Sequence, residues 1–114
     1  MERFNAYIEE SKVNMKKRIE AMVSDGYEDD TRPLRASFNI YDVFLALVTT
    51  AFSKSKGDTA VFKEEFHRLA EKIPSNWKKS LEVAKEHNDA EKIMIEEAKL
   101  ATADEIVMKF DELF

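Results

Sequence analysis

A chain of 114 residues with only two glycines and two prolines is one domain in size, and too poor in turn residues for a sandwich or barrel. Its 36% charged and 44% hydrophobic residues, rich in Lys, Glu, Ala, Leu and Met, exclude disorder and point to an all-α fold; the absence of cysteine excludes disulfides, thiolate metal sites and thiol nucleophiles. The net charge of −5 is uneven, +1 over residues 1–24, −2 over 25–37, zero over 38–89 and −4 over 90–114, which speaks against bulk binding to nucleic acid or an anionic membrane.

The first element is a predicted helix over residues 2–23. Phe4, Ile8, Met15, Ile19 and Met22 recur at three- and four-residue steps and form one apolar stripe. Glu9, Lys12, Lys16 and Lys17 read as the solvated side, with Glu9–Lys12 or Lys16–Glu20 as candidate pairs along the helix. Gly26 is suited to the left-handed position that ends it.

Residues 25–36 read as a long connection, acidic at Glu28, Asp29 and Asp30 and stiffened by Pro33. A loop of that length implies a diagonal crossing or a task of its own. Ser37 is then the expected cap of helix two. Its apolar residues between Phe38 and Phe52 cover nearly every face, the mark of a helix surrounded by others. The stretch is interrupted by Asn39, Asp42, Thr49 and Thr50 and is shorter than the roughly 20 residues of a membrane span. Two buried strands are the competing reading, disfavoured because no turn signal interrupts the segment.

Asp58 or Thr59 caps a third helix that Pro74 is expected to end. Ser75 caps a fourth, carrying Trp77, Leu81 and Ala84, and Asn88-Asp89 breaks it. The fifth helix covers residues 90–114, with a capping-box pattern at Thr102-Ala103-Asp104-Glu105 that would divide it. The expected architecture is a five-helix bundle, six if that seam is real, around a buried apolar central helix at 38–53 within a single helical domain, 1–114.

Candidate sites are few. Glu64 and His67 have the spacing of a dimetal helix element, but such sites need that element twice and two further glutamates, and here it occurs once. The acidic run at 25–30 lacks the alternation of a calcium loop. Lys54-Ser55-Lys56-Gly57 lacks the flanking glycine and strand of a phosphate loop, and no serine sits in a nucleophile motif. No enzyme, cofactor or metal site is therefore expected. An apolar pocket among the phenylalanines and methionines is a weaker reading than simple core.

The leading expectation is a non-enzymatic interaction or regulatory protein working through helix faces. Its motive is the apolar tail Ile106, Val107, Phe110, Leu113 and Phe114, which reads as apolar on more than one side and must be buried in its own domain or in a partner. A protein partner or a homodimer formed through the C-terminal helix would cover it, with Tyr27, Glu28, Asp29 and Asp30 as a second docking surface. The alternative is a small DNA-binding regulator with a helix-turn-helix-like pair at 59–88, although the tight Pro74-Ser75 turn and the residues after it suit base readout poorly. The opening Met1-Glu2-Arg3-Phe4 has no apolar region of secretory type, so a cytoplasmic location without membrane attachment is expected.

Overall fold

The computed structural model describes residues 1–114 as four long helices with no strand: α1 Glu2–Ser24, α2 Arg32–Ser55, α3 Thr59–Glu86 and α4 Ala90–Leu113, with a short 3-10 turn at Glu28–Thr31 between α1 and α2. The fold is all-α, and the helix count is four rather than five or six.

The helix boundaries at Gly26, Asp58 and Asn88-Asp89 fall where the residues place them. At the end of α1, Gly26 takes φ +87°; its N–H bonds to Val23 O at 3.1 Å, and the Tyr27 N–H to Met22 O at 2.8 Å. That double closure satisfies carbonyls the last turn would otherwise leave bare. Asn88, at φ 53°, does the same for α3, with the Asp89 N–H on Ala84 O at 3.0 Å. Asp58 accepts from the N–H groups of Ala60 and Val61 at 3.0 and 3.2 Å, and Asp89 from that of Lys92 at 3.1 Å, so both act as N-caps.

Three boundaries differ from the sequence expectation. Pro33 lies in the first turn of α2, where the missing N–H costs nothing, so the helix starts at Arg32 and the connection shrinks. Ser37 is consequently no cap; it is buried, and its hydroxyl donates to Ala98 O across to α4 at 3.3 Å. Pro74 does not end α3, which runs through it. The buried positions Phe62, Phe66, Ala70, Pro74 and Ala84 share one face of α3 before and after the proline, and packing along this stripe holds the helix together across the lost hydrogen bond. Ser75 donates its hydroxyl back to Lys72 O at 2.6 Å instead of capping a new helix. Thr102 is buried inside a continuous α4, since the turns on both sides of it keep their core contacts.

α2 packs on each of the other three helices, and α1 makes no backbone approach to α3. The core joins Phe4 and Ile8 of α1, Ile40, Tyr41, Phe44, Leu47, Val48 and Ala51 of α2, Phe62, Phe66 and Ala70 of α3, and Ala103, Ile106 and Phe110 of α4. Phe66 and Phe110 stack at 3.8 Å, with Phe44 edge-on to Phe66 at 6.3 Å. α2 is central but not closed on all sides: Asn39, Asp42, Ala46, Thr49, Thr50 and Phe52 remain exposed. Taken with the 3-10 turn, residues Glu28–Ser55 are long and apolar enough to cross a membrane by length and composition, longer than the apolar stretch alone suggests. A core helix meets the same criterion, and the apolar side of α2 lies against its neighbours.

Candidate interaction site

The two halves of α1 meet different surroundings. In the first half, Phe4 and Ile8 are fully buried; the Phe4 ring lies 6.2 Å from Phe110 and 6.3 Å from Phe114 of α4. Tyr7 donates its phenol to Glu105 Oε1 at 3.1 Å, with Lys109 Nζ 5.8 Å above its ring. Burial, joined by the Glu105 carboxylate, pushes the Tyr7 phenol above its ordinary range, and burial does the same to Tyr41.

In the second half only Ile19 is buried. Between it and the first half of α2 runs an open groove of about 750 Å³. Lys16, Ile19, Glu20 and Val23 form one wall, and Arg35, Phe38 and Asn39 the other. Lys12 crosses the groove beyond these residues, with Nζ 2.8 Å from Asp42 Oδ1 and 5.4 Å above the Phe38 ring. The hydrogen bond to Asp42 holds this ammonium above the usual lysine range. Neither pair expected along α1 forms: Lys12 is taken by Asp42, and Lys16 and Glu20 have no ion-pair partner in the chain. Val13 and Val23 are 50% and 39% exposed. Steps of three, four and three put Val13, Lys16, Glu20 and Val23 on one stripe flanking the core face.

The residues singled out in the sequence fall into two separate places. The tail belongs to the core: Ile106 and Phe110 are fully buried, while Val107, Leu113 and Phe114 pack against it. Phe114 lies 5.1 Å from Phe62 and 4.7 Å from Phe110. Of the tail's apolar side chains only Met108 is open, 73% exposed. The other group sits past the opposite end of α1, about 35 Å away along a helix of this length. There Tyr27 is 58% exposed and Glu28, Asp29 and Asp30 face solvent around the 3-10 turn. Thr31 closes that turn with its hydroxyl on Glu28 O at 2.6 Å and accepts from Arg35 Nε at 3.0 Å. Arg32 pairs with Glu91 of α4, which raises its already high basicity.

No three His, Asp or Glu side chains converge in a way that could hold a metal ion. His67 pairs through Nε2 with Asp111 Oδ1 at 2.8 Å, tying α3 to α4, and Glu65 is held by Arg68 at 2.9 Å, which lowers its carboxyl below the usual range. Glu96 is buried among the helices; its Oε1 meets Lys99 at 3.3 Å, and its Oε2 has no partner. The helix-turn-helix pair at 59–88 is absent, because Lys78 and Lys79 stand on the same continuous helix as residues 59–73. Comparison with protein-family models, curated proteins and solved structures returns no match.

The exposed stripe on α1 was missed by the sequence reading. Its one signal was the recurrence of valines at positions 13 and 23 on a side otherwise polar.

Proposed function

We propose that this protein is a non-enzymatic interaction module, regulatory in the sense that it works by occupying a partner's helix face, and that its contact surface is the α1–α2 groove with the acidic turn at its end. The supporting observation is one of area. The chain exposes 7287 Å², whereas a monomer of its 13.2 kDa typically exposes about 6,400 Å². The excess, about 900 Å², belongs to the whole chain, and part of it falls on the second half of α1, where Val13 and Val23 are exposed. The flattened shape, 47 × 33 × 19 Å with a radius of gyration of 15.6 Å, has the same origin, since a compact chain of this length has a radius near 13 Å. α1 is laid along one edge, where its second half has helical company on one side only.

The tail carries little of this reading, because its apolar side chains are engaged inside the domain. Tyr27, Glu28, Asp29 and Asp30 retain a place in it as the rim of the groove. The test is retention of a purified partner by the intact chain against two variants of unchanged helicity. Val23→Glu, in the groove wall, is expected to weaken a stoichiometric complex at least tenfold, and Met108→Glu, on the far side of α4, to leave it intact. Equal retention by both variants would overturn the assignment of the surface.

A further inference from the structure

We infer that the occupant of this surface is a second copy of the same chain, docked with its α1 antiparallel to the first. The inference rests on the interaction reading above and adds to it the identity and register of the partner. Two observations carry it: the order of residues along the exposed stripe and the charge sequence of α1.

The stripe reads Val13, Lys16, Glu20, Val23, and it is the same from either end once the two charges are exchanged. When two such helices run antiparallel about a two-fold axis level with Arg18, Val13 of each copy meets Val23 of the other. Lys16 likewise meets Glu20, and every contact occurs twice, as an isologous interface requires. These are the groups the fold leaves free, since the valines are half-exposed and neither Lys16 nor Glu20 has an ion-pair partner within the chain.

The wider charge pattern selects the same orientation. Residues 12–18 contain four cations and no acid, and residues 20–30 five acids and no cation. In the antiparallel register residues 12–18 of each copy lie level with residues 18–24 of the other, so Lys16 and Lys17 come beside Glu20 while the acids at 28–30 fall beyond the basic block. Parallel docking in register sets Lys16 on Lys16 and Glu20 on Glu20, and like charges face to face cost several kcal/mol in a close interface. The basic block leaves the stripe at Lys17, which stands at the edge of the valine contacts, whereas Arg18 lies on the opposite side of α1 and takes no part.

The contacts are few and partly ionic, so the dimer is expected in the micromolar range and to weaken at least tenfold between 0.1 and 1 M salt, over which the screening length falls from about 10 to 3 Å. The experiment is sedimentation equilibrium on the full chain at up to about 300 µM, with circular dichroism to establish that each variant is folded. The wild type is expected to dimerise. Lys16→Glu alone and Glu20→Lys alone are expected to be monomeric, because each sets like charges against each other at both contacts. An equimolar mixture of these two variants is expected to recover the dimer, one chain presenting two acids where the other presents two bases. Because the chain has no cysteine, Val13→Cys mixed with Val23→Cys gives an unambiguous cross-link that reads the register directly. A wild type that stays monomeric over this range, or a dimer that neither charge reversal disturbs, overturns the proposal. A monomer whose Val23→Glu variant still loses another purified protein overturns self-pairing alone and leaves the interaction reading standing; one in which Val23→Glu loses nothing removes both.

Discussion

The first and second halves of α1 look alike as sequence and differ as structure. Both present apolar residues at helical spacing, Phe4 and Ile8 in one and Met15, Ile19 and Met22 in the other. The first half lies between α2 and the end of α4 and is fully buried at both positions; the second half meets α2 and the 3-10 turn alone, and of its three residues only Ile19 is buried. Periodicity reports which side of a helix is apolar. It does not report how many neighbours come to cover that side, and the free groove is a consequence of that missing neighbour.

The largest test of this contrast is a pair of truncations. Phe4→Ala should cost about 3–5 kcal/mol, since it empties a site enclosed by α2, Phe110 and Phe114, and Ile19→Ala about 2 kcal/mol, since its cavity opens to the groove and can relax. Denaturant unfolding of the two variants measures both, and equal losses would erase the distinction between the halves. Next in size is Gly26→Ala. Nothing lies within 4 Å of an added Cβ, so its expected cost of about 1 kcal/mol is purely that of a left-handed backbone. A loss well beyond this would mean that the end of α1 is packed more closely than the groove implies.

The smallest effect is alkaline. The Tyr7 phenol is raised by burial and by Glu105, so above the ordinary value of 10.0 the unfolded chain releases a proton that the folded chain retains. Stability should therefore fall as pH rises beyond about 10, and Tyr7→Phe should flatten that fall while costing about 1 kcal/mol or less at neutral pH for its hydrogen bond to Glu105. An unchanged alkaline limb in Tyr7→Phe would shift the titrating role to Tyr41.

The legible parts of the fold were those with local causes. Gly26, Asp58, Asn88 and Asp89 end or begin helices through hydrogen bonds that reach no more than five residues, and their side-chain chemistry is visible in the sequence. The centrality of α2 was legible too, because apolar residues on most faces of one helix leave few other places for it. Pro74 and Thr102 misled for the opposite reason. Each carries a local signal for a break, and each lies on a helix whose flanking turns are buried against distant parts of the chain, so packing overrode the local preference.

The candidate site divides along the same line. Tyr27, Glu28, Asp29 and Asp30 are exposed at the turn, as an acidic run near a helix end implies. The tail residues Ile106, Val107, Phe110, Leu113 and Phe114 lie against Phe4, Phe62 and Phe66, a contact between chain segments some 40 to 110 residues apart that no local pattern announces. Composition and spacing by themselves determined an all-helical chain, its main capped boundaries and its central helix, because these follow from hydrogen bonds and periodicities a few residues long. The tertiary structure alone decided that α3 passes through its proline, that the tail is spent on the core and that α1 keeps a free face, because these depend on which distant surfaces meet.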